Sequence, residues 1–160
     1  MTTIEQIIQQ WPLERKYKSA CRLSWVYRRA LERAIYERFG EEAIKTLAAV
    51  YSGMAEGIVD GMKRFGIEGN DARSFAHYWK AVDEIMFDTP IEIVEASPQK
   101  AVVRMPKCPS PVETNPRICS AHFAFEKRSV EILNPKLEVE MSKRISQGDP
   151  YCEGIIVLRA

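Results

Sequence analysis

The sequence predicts an α+β fold in which N-terminal helices pack on a small antiparallel sheet. Three observations carry this prediction. Apolar residues recur every three or four positions up to about residue 88, the period shortens to two after Pro90, and the extended segments come as two pairs around one further helical stretch. The order is three helices, a β-hairpin, a helix and a second β-hairpin. A chain of 160 residues with 46% hydrophobic content can bury one core. We read 1–160 as a single domain, with a helical part at 1–88 and a ββαββ part at 89–160.

The first helix is expected from Leu13 to Phe39. Tyr17, Ala20, Leu23, Tyr27, Ala30, Leu31, Ala34 and Ile35 form its apolar stripe, and Gly40 ends it. Arg15, Lys18, Arg22, Arg29 and Arg33 gather on the opposite side as a basic ridge, either a solvated face or a surface for an anionic partner. A second helix should run from Glu41 to about Phe65, with Ala43, Leu47, Val50, Met54, Ile58 and Phe65 inward. Gly53, Gly57 and Gly61 lie four apart on it, as a ridge for close packing or a groove left open for a ligand. The third helix, capped by Asn70 or Asp71, turns Phe75, Tyr78, Trp79, Val82, Ile85 and Met86 inward and His77 outward.

"PIEIVEAS" and "KAVVRMP" read as a hairpin. A proline-rich loop then leads to a helix from about Pro116 to Leu133, with Asn115 as its cap. "KLEVEMSKRI" alternates Leu137, Val139 and Met141 against Glu138 and Glu140, and "YCEGIIVLR" returns after a Gly148-Asp149-Pro150 turn.

A formal net charge of +1 argues against nucleic acid as a partner. No apolar run reaches the roughly 18 residues a spanning helix needs, and the amino terminus lacks a signal-peptide pattern, so a cytoplasmic protein without a membrane partner is expected. The four cysteines, Cys21, Cys108, Cys119 and Cys152, then read as thiols or ligands. Cys21 belongs to helix packing. Cys119 falls in the first turn of its helix, where exposed amides favour a thiolate, and His122 follows three residues later on the same face. If the hairpins lie side by side, Cys108, Cys119, His122 and Cys152 converge at one end of the sheet, a set that suits a divalent metal such as zinc. A buried thiol beside a hydrogen-bonded histidine is the structural alternative.

"CP" at 108–109, "ICSAHFAFEKRSVEILNPKLEVEMSKRISQGDPYCEG" at 118–154, and the long helix followed by a glycine-bearing helix resemble the L-2-amino-thiazoline-4-carboxylic acid hydrolase family. The matching positions are Cys108 and Pro109, Cys119, Asn134 and Pro135, and Gly148, Asp149 and Cys152. The fold is also similar, more loosely, to small-molecule-binding domains of the 4-vinyl reductase type. The resemblance implies hydrolytic opening of a C–N or C–S bond in a small sulfur heterocycle. Cys119 with His122 would supply the nucleophile and Asp149 the proton, with Cys152 at the pocket wall and Arg104, Arg117 or Arg144 holding a carboxylate. Glu126 and Glu153 are possible neighbours. Two other readings stand beside it: a noncatalytic domain holding a small ligand or metal between the glycine ridge and the sheet, and an interaction protein using the basic ridge. A homodimer is expected from the sheet edges and the glycine ridge.

Overall fold

The computed structural model describes residues 6, 9–110 and 115–159, so part of the proline-rich loop lies outside the described residues. Helix α1 (Leu13–Phe39) leads through Gly40 into α2 (Glu41–Met54). A 3₁₀ turn (Ala55–Gly57), α3 (Ile58–Arg64) and α4 (Ala72–Phe87) follow. Strands β1 (Glu92–Ala96) and β2 (Lys100–Met105) make the first hairpin, and α5 (Pro116–His122) and α6 (Ala124–Leu133) come next. The second hairpin is β3 (Leu137–Lys143) and β4 (Cys152–Leu158), with a 3₁₀ turn (Ile145–Gln147) between its strands.

The strands form one antiparallel sheet in the order β1-β2-β4-β3, so the hairpins join through β2 and β4. Along that seam Ala101 pairs with Ile156 and Val103 with Gly154. The alternation expected in β3 is present, with Leu137 and Val139 buried and Glu138 and Glu140 exposed. Phe75 and Trp79 of α4, Ile58 and Met62 of α3 and Val130 of α6 share one core with Leu137 and Ile156 of the sheet. Gly154 permits the approach of α4, because a Cβ there would stand 2.8 Å from the Trp79 ring. Two caps follow the sequence signals: the Asp71 carboxylate accepts from the Ser74 N–H, and the Asn115 side chain accepts from the Arg117 N–H.

Two helices expected to be continuous are interrupted. The 41–65 segment tightens at Ala55–Gly57, and the 116–133 segment turns at Phe123, where ψ of −7° closes a shorter hydrogen bond and lets the ring enter the core. The glycine ridge is likewise mostly unused for packing. An added Cβ at Gly53 or Gly57 would meet nothing within 4 Å, whereas one at Gly61 would meet the Tyr78 hydroxyl at 2.7 Å.

Helix α1 departs furthest from expectation. Its buried residues are Cys21, Trp25, Arg29 and Glu32, while Leu23, Tyr27 and Leu31 are 51%, 67% and 62% exposed. The helix has the amphipathic period anticipated but is rotated about its axis, so the leucine stripe faces outward and Arg29 of the basic ridge faces in. Its inward face is held by aromatic packing, with Trp25 edge-on to Phe87 at 5.7 Å, and by a polar network with α2 and α5. Among the described residues, no helix is long and apolar enough to cross a membrane.

Candidate functional site

The turn that carries Asp149 and Cys152 uses both side chains to hold itself. Gly148 takes a φ of 97°, the Asp149 carboxylate accepts from the Arg144 N–H at 2.7 Å, and the Cys152 sulfur accepts from the Ile145 N–H at 3.3 Å. Cys108 and Cys119 lie near enough to reinforce a rise in the Cys152 pKa that burial begins, which keeps that thiol protonated. His122 does not join them. Its ring leaves Cys119 for the seam between α1 and α2, with Nε2 2.7 Å from Glu32. Among the described residues, no group of three histidine, cysteine or carboxylate side chains is placed to hold a metal, so the expected zinc set of Cys108, Cys119, His122 and Cys152 is not assembled.

The three arginines proposed for a substrate carboxylate each have another partner. Arg104 pairs with Glu153 at 2.7 Å, Arg117 pairs with Glu41 of α2, and Arg144 donates to the Ser120 hydroxyl at 3.0 Å while lying over the Phe123 ring. His77 is exposed, as expected, and Cys21 is buried with its thiol directed to the Met86 carbonyl.

His122 belongs instead to a buried network that the sequence does not announce. Glu32 accepts from Arg29 Nη1 at 2.9 Å and from the Tyr51 hydroxyl. The His122 Nε2 stands 2.8 Å from Arg29 Nη1 as well as beside Glu32, so it donates to the carboxylate when it carries hydrogen and accepts from the guanidinium when it does not. Burial would raise the Glu32 carboxyl, but hydrogen bonding and charge from His122, with Tyr51 and Arg29, outweigh it and hold the group at about 2. Burial, reinforced by Arg29 and opposed by Glu32, lowers His122 to about 4. The imidazole is therefore neutral near pH 7 and a weak base.

Beside the network lies a cavity of about 400 Å³, walled by the helices and open to solvent on one side, without any lining residue from the sheet. Trp25, Phe75, Tyr78 and Trp79 supply aromatic walls, and Arg28, Asp83, His122 and Glu126 supply polar groups. Cys108, Cys119, Asp149 and Cys152 do not line it; Gly61 of the glycine ridge does, but the ligand space expected between that ridge and the sheet is here walled by helices alone. Burial raises Asp83 to about 7, against a hydrogen bond from Trp79 and the charge of Arg28. Burial, with the Asp83 charge adding to it, raises Glu126 to about 8. Asp83 Oδ2 and Glu126 Oε2 are both shut from water without a hydrogen-bond partner.

The outward face of α1 is a surface feature that the buried network does not explain. Ala20, Leu23, Tyr27, Ala30, Leu31 and Ala34 lie along it and all are exposed. They occupy about four turns of one continuous helix. The sequence signal for this face was the apolar stripe itself, which marks a surface to be covered without saying whether the covering comes from the same chain.

Neither a family model nor a curated protein matches the sequence. Among solved structures, the fold is similar to a trafficking protein particle complex subunit 3 from Naegleria fowleri, determined covalently bound to palmitic acid. The TM-score is 0.64 at 14% identity, over 89% of this chain and 97% of that one. This likeness is one of fold. It corrects the expectation of a heterocycle hydrolase or a metal-binding domain, because the fold is shared with a trafficking-complex subunit and the residues those readings needed brace a turn, form ion pairs or sit in a buried network.

Proposed function

We propose that this chain is a noncatalytic subunit of a protein assembly that docks through the outward face of α1. The observation that carries the reading is the rotated helix: leucine and tyrosine face solvent while arginine and glutamate are buried. Burying one such large apolar side chain is worth about 1.5–3 kcal/mol, so a fold that leaves three on one face forgoes several kcal/mol unless another surface covers them. Those residues are contiguous on one rigid helix, which suits a preformed docking surface better than scattered exposed leucines would. The fold neighbour is itself a subunit of a complex, which supports the same reading.

The test is native size in extracts of cells that make the protein. The wild-type chain is expected above its 18.3 kDa monomer size, and Leu23→Glu with Leu31→Glu is expected to return it to monomer size while its melting temperature stays within a few degrees. A wild-type chain running as a monomer, or a larger species indifferent to the double substitution, would overturn the reading.

A further inference from the structure

Of the seven buried side-chain atoms left without a hydrogen-bond partner among the described residues, four belong to residues that line the helical cavity. Asp83 Oδ2 and Glu126 Oε2 are carboxyl oxygens that lack a donor, and Trp25 Nε1 and Arg28 Nε are donors that lack an acceptor. Each such group costs about as much as a lost hydrogen bond, so a fold rarely gathers several on one wall unless something else satisfies them. The rest of the wall is largely aromatic, and the volume of about 400 Å³ is in the range of small-molecule sites. These rings already take a cation: the Arg28 guanidinium lies 3.6 Å over the Trp25 ring and 5.7 Å from that of Phe87. Held there, it satisfies neither carboxyl oxygen. Met54, Arg64 and Met86, the exposed members of the lining, mark the mouth. We propose that the cavity binds a small aromatic amine as its cation, with the ammonium group between Asp83 and Glu126, the ring against the aromatic wall, and a hydroxyl or similar acceptor toward Arg28 and Trp25. An ammonium brings three donors to two oxygens that have none, and the aromatic faces attract the same charge. An anion would have to lie against both carboxyl groups, and a wholly apolar ligand would leave all four polar atoms unpaired. The site is separate from the outward face of α1 and goes beyond the assembly reading; either can fail without the other.

Binding of the cation is coupled to protons. Burial lets Asp83 and Glu126 keep their protons up to about 7 and about 8, and those protons must leave before an ammonium can pair with the carboxylates. The charged groups around them are Arg28 of α1, Arg64 of α3, Arg144 ahead of the 3₁₀ turn, and Glu84 of α4, which is ionised against Lys80. Burial keeps the hydroxyls of Tyr51 of α2 and Tyr78 of α4 protonated, and His122 of α5 is neutral above about 4. Between pH 5 and pH 8, Asp83 and Glu126 are therefore the lining groups that change charge, and affinity for the amine rises with pH across that range.

Tryptophan fluorescence of the purified full chain reads occupancy, because Trp25 and Trp79 line the cavity and Trp11, the third tryptophan, does not. The probes are phenylethanolamine, a cation across this pH range, and its matched neutral and anionic counterparts, phenylethanediol and mandelate. The amine is expected to bind at pH 8 with a dissociation constant of about 1 mM or tighter, at least about tenfold better than either counterpart. At pH 5 its affinity should be at least about tenfold weaker, since each proton to be displaced costs about tenfold per pH unit below the carboxyl pKa. Asp83→Asn with Glu126→Gln should abolish both the preference for the amine and its pH dependence. Should that variant fail to fold, the probe comparison and the pH series on the wild-type chain decide by themselves. The proposal is overturned by no amine binding up to about 10 mM at pH 8, by binding of the diol or mandelate as tight as that of the amine, or by an amine affinity that does not change with pH. A folded double variant that keeps the preference for the amine overturns it as well.

Discussion

Glu32 takes hydrogen bonds from three elements at once: Arg29 of its own helix α1, the Tyr51 hydroxyl of α2 and His122 of α5. With its side chain 3% exposed, it is an ionised carboxylate in a place that would otherwise disfavour charge, held by donors on every side. Removing the charge leaves Arg29, also buried, without its counter-ion. Glu32→Gln is therefore expected to cost about 3–5 kcal/mol, the usual range for breaking one partner of a buried pair. For a chain of this size, that is a fall of roughly 10 °C in melting temperature, measurable by calorimetry. Glu32→Gln with Arg29→Met should recover part of the loss, since the stranded cation is then gone. A single substitution that left the melting temperature unchanged would mean that the network carries no net stability. Nothing in the sequence separated Glu32 from the other acidic residues of α1. Its role depends on Tyr51 and His122, 19 and 90 residues away, which only the fold brings to it.

At the scale of elements, the two glycines that differ most in surroundings are Gly53 and Gly154. Gly53 is exposed near the end of α2, and an added methyl would meet nothing within 4 Å, so Gly53→Ala is expected to stabilise by about 0.5–1 kcal/mol through helix propensity. Gly154 lies in β4 against Trp79 and Val103. Gly154→Ala is expected to cost about 1–3 kcal/mol, because the indole has no room to retreat within a packed core. Denaturant melts of the two variants should move in opposite directions. The strands were legible because alternation and turn chemistry are local: Leu137 and Val139 face the core where the pattern put them, and Gly148 adopts the positive φ the turn requires. Asp71 and Asn115 cap the helices as their positions suggested. The interruptions at Ala55–Gly57 and Phe123 were not legible, since each is a packing compromise between neighbouring elements. The rotation of α1 was half legible. Period reveals that Leu23, Tyr27 and Leu31 share a face, but an apolar face wants covering regardless of which chain covers it. Cys119 and His122 share a helix at the right spacing, yet the ring turns toward Glu32, and no local rule foretells that choice.

Across the whole molecule, the interior titrates in two opposing senses. Glu32, at about 2, stabilises the fold above its ordinary carboxylate range and loses that contribution as pH falls from about 4.5. His122, lowered from 6.5 to about 4, binds a proton in the unfolded chain before it does so in the folded one, so stability also declines as pH falls through that window. The cavity carboxyls act the other way. Asp83 rises from 3.8 to about 7 and Glu126 from 4.5 to about 8, so the folded chain holds protons that the unfolded chain has released. Their contribution is fully present below about pH 4 and is lost as pH rises through 7 and 8. Both cavity groups sit among aromatic walls with an oxygen lacking a donor, so ionisation there has little to relieve it. Asp83→Asn with Glu126→Gln removes two proton-binding sites without changing the shape of the cavity. The stability difference between this variant and the wild type should therefore shift in favour of the variant between pH 5 and pH 8, whatever its value at pH 5. Thermal melts at the two pH values measure that shift directly. A difference that stays constant from pH 5 to pH 8 would mean that neither carboxyl keeps its proton in the folded chain, and a shift favouring the wild type would reverse the sign argued here.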